Sequence, residues 1–234
     1  MIGRFVLVVG TGTDVGKTHV SASLVARAHE WARVAGYKPI ATGLGPGDRD
    51  GDDARRLAEV AHCAPEPVAY GYAEPVSPHL ASRIEGRPID LKHLVVSIER
   101  LAAAALDLLI VESAGGLFTP LTDQETNADL ARALMAHFAS RVVLLIVAPD
   151  RIGVLHDLGA TVRAARAEGL MLPVVALSAP AVADESTGRN ANEILRLGLA
   201  TTVVDFPRSA PTSVSSRAAA TRCLEALGVA PTAE

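Results

Sequence analysis

The chain has 234 residues, of which 49% are hydrophobic and 21% charged, and its formal net charge at pH 7 is −4. This length and composition are typical of one folded domain and exclude a disordered chain. The negative charge argues against non-specific binding to nucleic acid or to an anionic membrane.

The cellular compartment is predicted from the cysteines and from the absence of targeting signals. The two cysteines, Cys63 and Cys223, have no metal-ligand spacing and are expected to be reduced thiols. The first residues run directly into an apolar segment without the basic region, long apolar run and cleavage site of a signal peptide. No apolar run reaches the roughly 18 residues that a membrane-spanning helix needs. We therefore expect a cytoplasmic protein.

Short apolar runs rich in β-branched residues alternate with longer amphipathic stretches along the chain. The runs predict strands at residues 5–9, 37–41, 108–111, 142–147, 173–177 and 201–206. The stretches predict helices at residues 18–35, 54–61, 91–105, 128–138, 153–168, 190–196 and 213–227. Residues 43–53 and 64–77 are predicted to be loops. The repeated order of strand and helix predicts a single α/β domain with a doubly wound, mostly parallel sheet and flanking helices.

A glycine-rich loop lies between the first predicted strand and the first predicted helix and reads GTGTDVGKT at residues 10–18. Small residues let the backbone wrap around a phosphate chain, and the amino terminus of the following helix favours negative charge. Lys17 would place a compact cation beside the terminal phosphates, and Thr18 would offer a hydroxyl to Mg²⁺. The strict motif would place its first glycine at position 11, whereas this loop opens with Gly10-Thr11. The order of strand, loop, Gly-Lys-Thr and helix still predicts a P-loop NTPase.

Carboxylates that could hold Mg²⁺ against bound phosphates occur at two further places. Glu112 follows a predicted strand and precedes a glycine-containing turn, while Asp52 and Asp53 lie at the end of the first predicted loop. The pattern alone leaves open that Asp53 only caps a helix and that Glu112 faces solvent. Lys38 is one of only three lysines in an arginine-rich chain and lies on the second predicted strand. A rotatable ammonium there would suit an anionic ligand, although the pattern alone leaves open an ordinary surface lysine.

Five sequence blocks in the first half of the chain resemble dethiobiotin synthetase, and they occur in the order found in that family. They read GTGTDVGKT at residues 10–18, YKPIATG at 37–43, AEPVSPH at 73–79, EGRPI at 85–89 and VESAGGLFTPL at 111–121. The second half of the chain matches the family mainly in its order of strands and helices.

The resemblance implies an ATP-dependent ring closure in biotin biosynthesis, with Mg²⁺ and ATP as cofactors. In that family 7,8-diaminononanoate takes up CO₂ as a carbamate on one amine, and the carbamate oxygen attacks the γ-phosphate of ATP. The second amine then closes the ureido ring, and phosphate leaves. The resemblance also implies a homodimer. The expected binding partners are the small-molecule substrates, and neither nucleic acid nor a membrane is expected to bind.

Residue roles are carried over from the family by position. The implied catalytic residues are Lys17, Lys38 and Thr13. The implied metal ligands are Thr18, Asp53 and Glu112. The implied contacts to the nucleotide and its metal are Asp14, Val15, Gly16, Lys17, Thr18, His19, Asp53, Glu112, Ser113, Ala114 and Gly115. The implied substrate contacts are Thr13, Lys38, Thr42, Gly153, Val154, Leu155 and His156.

Three positions depart from the family pattern. Ser113 replaces the first glycine of the usual Glu-Gly-Ala-Gly-Gly run, and His156 stands where many members have an asparagine near the substrate carboxylate, across the dimer interface. An imidazole can still donate a hydrogen bond to a carboxylate. Ser178-Ala179 stands where an Asn-Asp pair often contacts adenine, which predicts weak discrimination between nucleotides.

Three other interpretations compete with a synthetase. A P-loop amide ligase or cobyrinate-type amidase would share the phosphate loop but not the blocks at 37–43 and 73–79. A partition-type ATPase usually opens its loop with an extra lysine, which is lacking here. A nucleotide-binding protein that has lost its chemistry would explain the changes at Ser113, His156 and Ser178.

Overall fold

The computed structural model describes residues 3–230, in which six parallel strands form the central sheet. The strands are β1 (Arg4–Gly10), β2 (Val34–Tyr37), β3 (Ile40–Thr42), β4 (Tyr70–Tyr72), β5 (Leu108–Gly116), β6 (Val142–Pro149), β7 (Val174–Ser178) and β8 (Thr202–Phe206). The helices are α1 (Lys17–Ala28), α2 (Gly51–Val60), α3 (Pro78–Ile84), α4 (Leu91–Ala102), α5 (Asn127–Phe138), α6 (Val154–Ala167), α7 (Asn190–Arg196) and α8 (Val214–Ala226).

The order of strands in the central sheet is β2-β5-β1-β6-β7-β8, and every neighbouring pair is parallel. This arrangement confirms the predicted doubly wound α/β fold. Because β1 lies between β5 and β6, the loop after β1 opens at the centre of the sheet's carboxyl edge. Ligands bind at this edge in open α/β sheets.

Helices cover both faces of the sheet, and strand β1 shows how the sequence divides between them. Phe5, Leu7 and Val9 point into one hydrophobic cluster, which also contains side chains of α4, α5 and α6. Val6 and Val8 point into a second cluster with side chains of α1, α2 and α8. Side chains alternate between the faces of a strand, so a strand with helices on both sides is apolar at every position.

The predicted helix at residues 18–35 is too long. Helix α1 ends at Ala28, and its last predicted residues belong to strand β2, which pairs in parallel with β5. Helix α2 packs closely on this strand at Gly36, where a Cβ atom would lie 2.8 Å from the Leu57 Cβ. The Ala- and Arg-rich composition favoured a helix, and tertiary packing overrides that preference.

The predicted strand at residues 37–41 is wrong, because it combines the ends of two different strands. Strand β2 ends at Tyr37, and Ile40 opens β3, which forms a separate two-stranded parallel sheet with β4. Pro39 lies at the break, where its ring lacks the N–H that a ladder requires. Lys38 therefore lies in the connection between two strands, not on a strand as predicted.

Two further boundaries differ from the predictions. The predicted loop at residues 64–77 contains β4, and the short helix α3 follows it. Helix α2 begins at Gly51, so Asp52 and Asp53 lie in its first turn and not in a loop. Within residues 3–230, no helix has the length and apolar character that crossing a membrane requires.

Candidate functional site

The loop between β1 and α1 has the backbone of a phosphate-binding loop. Gly16 has a φ of 96° and precedes the first residue of α1, and Asp14 also has a positive φ of 56°. A Cβ atom on Gly16 would lie only 2.2 Å from the Ser178 hydroxyl oxygen, so glycine is required there for space as well as for conformation. The Lys17 ammonium donates to the Gly12 carbonyl oxygen at 2.9 Å, which folds its side chain over the loop.

A compact polar cluster lies beside this loop and joins three different elements. The Thr18 hydroxyl lies 2.8 Å from Asp53 Oδ1 on α2 and 2.9 Å from Glu112 Oε1 on β5. The Lys38 ammonium lies 2.6 Å from the same Glu112 oxygen and 2.9 Å from Asp53 Oδ2. Residues from four separate parts of the sequence are thus within direct contact of one another.

One carboxylate oxygen of this cluster has no hydrogen-bond partner among the described residues. Glu112 is fully buried, with 0% exposure, and its Oε2 atom has no hydrogen-bond partner. Thr18 has a single hydroxyl proton for the two carboxylate oxygens that lie within 3 Å of it. A buried carboxylate oxygen without a partner is costly. The donor set of two carboxylates and a hydroxyl is the kind that Mg²⁺ prefers.

The charges in the cluster alter the acidity of its members. Burial works to lower the pKa of Lys38, but the charges of Glu112 and Asp53 outweigh it and raise that pKa above the usual value. Burial likewise opposes ionisation of Asp53, yet the Lys38 ammonium and the Thr18 hydroxyl hold the pKa of Asp53 below its usual value. Lys38 and Asp53 are therefore both charged at neutral pH.

Lys17 has the opposite perturbation. Burial lowers the pKa of Lys17, and the nearby Lys38 ammonium lowers it further, to about 8. The carboxylates of Glu112, Asp53 and Asp14 oppose this shift but do not cancel it. An ammonium held near its titration point would gain charge when an anionic phosphate chain comes close.

A cavity of about 1030 Å³ opens over the loop and the polar cluster. Twelve of the predicted site residues line it: Thr13, Asp14, Gly16, Lys17, Thr18, His19, Lys38, Thr42, Asp53, Glu112, Ala114 and Gly115. The cavity is large enough for a nucleotide together with a small second substrate. Its walls come from both ends of the carboxyl edge of the sheet.

Six predicted site residues do not line the cavity. Val15 packs into the core below the loop, and Ser113 is buried, although its carbonyl oxygen lies 3.4 Å from the Lys38 ammonium. Gly153, Val154, Leu155 and His156 lie at the start of α6, where Gly153 and His156 are exposed. Within a single chain this segment is not brought to the cavity.

Sequence reasoning missed the wall formed after β8. Arg208, Ser209 and Ala210 line the cavity, and Ser178 lines it from the end of β7. The segment is anchored to α1, because His19 Nε2 lies 2.9 Å from the Pro207 carbonyl oxygen. A useful signal was its position: Arg208 follows the last strand of a parallel sheet, at the same edge as the phosphate loop.

The arginines around the cavity differ in their pairing. Arg55 contacts the carboxylates of Asp48 and Asp52, and the Asp52 side chain is 82% exposed. Arg56 and Arg208 also line the cavity, and neither has an ion-pair partner among the residues that the structure describes. In the same described region no group of three His, Cys, Asp or Glu side chains is placed to hold a metal, so a cation site here depends on the Thr18 hydroxyl and on the phosphates themselves.

Comparison with known proteins identifies the family. A family model described as an AAA domain matches residues 4–213. The ATP-dependent dethiobiotin synthetase BioD of Anaeromyxobacter sp. is 38% identical over 204 residues, which cover 83% of this chain and 85% of that protein. The protein of the same name from Rhodopirellula baltica is 35% identical and covers 81% of this chain and 78% of its own length. A ParA family ATPase from Chlorobium tepidum shares only the fold, with 14% identity, a TM-score of 0.52 and 99% and 93% of the two chains covered. This chain therefore belongs to the ATP-dependent dethiobiotin synthetase family.

Proposed function

We propose that this chain is a ligase of biotin biosynthesis that uses Mg²⁺ and ATP to join 7,8-diaminononanoate with CO₂ into the ureido ring of dethiobiotin. The observation that carries the proposal is the meeting of Thr18, Asp53, Glu112 and Lys38 beside the phosphate loop. Synthetases that join two anions must neutralise both, and this cluster offers a cation and metal ligands in one place.

The residues present fit a magnesium ion. Thr18, Asp53 and Glu112 would hold it, and the unpartnered Glu112 Oε2 supports this assignment. When bound, the ion would neutralise charge on the terminal phosphates during transfer. Lys17 and the backbone of the glycine-rich loop would hold the phosphate chain itself, with the start of α1 adding a positive partial charge.

The chain's own residues would act mainly by positioning and by charge. Lys38 and Lys17 would hold the carbamate of the diamine against the γ-phosphate, so that one carbamate oxygen attacks phosphorus and ADP leaves. The second amine would then attack the carbamoyl carbon, forming the ring and releasing phosphate. Thr13 and Thr42, which line the same cavity, would orient the two amines. Holding reactants in line is where most of the rate enhancement in such sites arises.

A homodimer would explain the four predicted substrate residues that lie away from the cavity. Gly153 and His156 are exposed at the start of α6, and the neighbouring Ile152 is 73% exposed. In a dimer this segment would reach the cavity of the partner subunit and bind the carboxylate of the diamine. We also propose that the enzyme works in the cytoplasm, where ATP is available.

Mixed dimers would test the shared site. Lys38→Ala and a second variant with His156→Ala should each have little activity alone. Mixing them should restore part of the activity, because some heterodimers contain one intact cavity. Light scattering should give twice the mass of the chain. A monomer, or no recovery on mixing, would contradict the shared site.

The central experiment measures phosphate release from ATP with and without the diamine and bicarbonate. We expect release only when both are present, and we expect Lys38→Ala to abolish it while ATP binding by calorimetry is retained. Lys38→Arg should not restore activity, because a planar guanidinium cannot take the place of a rotatable ammonium. Lys92→Ala is the matched control, since Lys92 is exposed at the start of α4. Diamine-independent release would instead favour a partition-type ATPase.

A further inference from the structure

We propose that Lys38 is the resident counter-ion of the metal site, and that a divalent cation and the Lys38 ammonium exchange places on the same two carboxylates. The inference rests on the metal site of the proposed function. Lys38 Nζ lies 2.6 Å from Glu112 Oε1 and 2.9 Å from Asp53 Oδ2, and both side chains are assigned to the metal. Lys38 would therefore have a second task besides holding the reacting anions.

The shared oxygen makes the two occupants compete. Glu112 Oε1 is in contact with both Lys38 Nζ, at 2.6 Å, and Thr18 Oγ1, at 2.9 Å. A cation held by the Thr18 hydroxyl and by Glu112, whose Oε2 atom has no partner, would lie close to the Lys38 ammonium on Oε1. Lys38 is 7% exposed and Glu112 is fully buried, so little water is present to screen the repulsion between two positive groups.

The balance of charge explains why an ammonium is present at all. Without it, Asp53 and Glu112 would face each other around Thr18 as two carboxylates, one of them fully buried. Such a pair is unfavourable chiefly for the fully buried Glu112, since the Asp53 side chain is 37% exposed. Lys38 reduces the cluster to one net negative charge. A divalent cation in its place would neutralise both carboxylates and leave the positive charge of Lys38 available to a triphosphate.

The exchange would impose an order on catalysis. Once displaced from the carboxylates, the Lys38 ammonium would turn towards the cavity, which it already lines. It would become available to the carbamate and the γ-phosphate only after the metal site is filled. Nucleotide loading and activation of the catalytic lysine would then be one coupled event.

The three lysines of the chain allow a direct test on the unmodified protein. We would label lysine with ¹³C and ¹⁵N and follow the ammonium signals by NMR during a titration with MgCl₂ alone. The Lys38 signal should be protected from solvent exchange at the start, because its ammonium contacts Glu112, Asp53 and the Ser113 carbonyl oxygen. It should shift or broaden in a saturable manner, while the exposed Lys92 signal should not change.

Binding of Mn²⁺, followed by its electron paramagnetic resonance signal, gives the second measurement. Lys38→Met removes the competitor, so this variant should bind Mn²⁺ at least tenfold more tightly than the wild type. The matched control Lys92→Met should bind Mn²⁺ like the wild type.

The contrary results are distinct. Equal or weaker Mn²⁺ binding by Lys38→Met, or a Lys38 signal that stays unchanged when Mg²⁺ binding is saturated, would overturn the exchange and leave the metal site intact. Mn²⁺ binding that survives Glu112→Gln unchanged would overturn the metal site of the proposed function, and the exchange with it.

Discussion

Raising the pH should weaken nucleotide binding through Lys17. Because burial and the Lys38 ammonium lower the pKa of Lys17 to about 8, roughly nine tenths of the protein carries the Lys17 charge at pH 7 and roughly one tenth at pH 9. Phosphates favour the charged form, so binding raises this pKa again. The affinity for Mg²⁺ and a non-hydrolysable ATP analogue should fall about tenfold between pH 7 and pH 9, or about 1.4 kcal/mol.

Calorimetry in two buffers with different ionisation enthalpies measures the linked proton directly. At pH 8, binding should take up roughly half a proton per nucleotide, because about half of the Lys17 side chains are then neutral. Lys17→Arg is the matched control: its guanidinium remains charged, so its affinity, though weaker, should be independent of pH over this range. His19 should not contribute, since burial lowers its pKa below the usual 6.5. An affinity that is flat from pH 7 to pH 9, without proton uptake, would refute the placement of Lys17 against the phosphates.

Five substitutions test other parts of the site. Glu112→Gln and Asp53→Asn should each reduce Mg²⁺-dependent turnover by at least about a hundredfold. Asp52→Asn should change it less than twofold, because the Asp52 carboxylate pairs with Arg55 and is 82% exposed. The reverse ranking of the two aspartates in a metal titration would contradict the assignment. Gly16→Ala should abolish nucleotide binding and cost at least about 1 kcal/mol of stability, since its Cβ would collide with Ser178; unchanged melting and binding would argue against this. Arg208→Ala should weaken binding of ATP, GTP and CTP to the same extent. The reason is that the chain lacks an Asn-Asp pair after β7, so few groups are available to distinguish one base edge from another. A strict preference of the wild type for ATP would contradict this.

Most strands of the central sheet were predictable because each is a short run of consecutive apolar residues. Runs such as residues 142–147 are apolar at every position, which only a strand buried on both faces requires. The second strand lacked that signature. Val34 to Tyr37 contains alanine and glycine and continues an Ala- and Arg-rich stretch. It is a strand because it pairs with β5 and packs closely against Leu57 at Gly36. The local hydrophobic periodicity of a sequence gives no information on contacts of this kind.

The candidate site was predictable where residues follow one another and hidden where the fold brings them together. The glycine-rich loop is continuous in sequence, so its position between β1 and α1 follows from the motif. The direct contact of Lys38 with both Asp53 and Glu112 joins residues up to 74 positions apart. Arg208 is further still from the glycine-rich loop along the sequence. It reaches the cavity because β8 pairs in parallel with β7 and ends at the same edge of the sheet.

The position of Lys38 also connects the fold to the chemistry. Pro39 ends one strand and allows β3 to leave for a second sheet, so the backbone at Lys38 belongs to neither ladder and lies at the rim of the cavity. A residue inside β2 would have its backbone fixed by the ladder that β2 forms with β5. In the connection, the side chain can contact Glu112 on β5 and Asp53 on α2 at once. A long, rotatable side chain at such a position can also move a few ångströms without any change in the sheet. The break in the strand that the sequence concealed is therefore the feature that would let one lysine serve first the metal site and then the reacting anions.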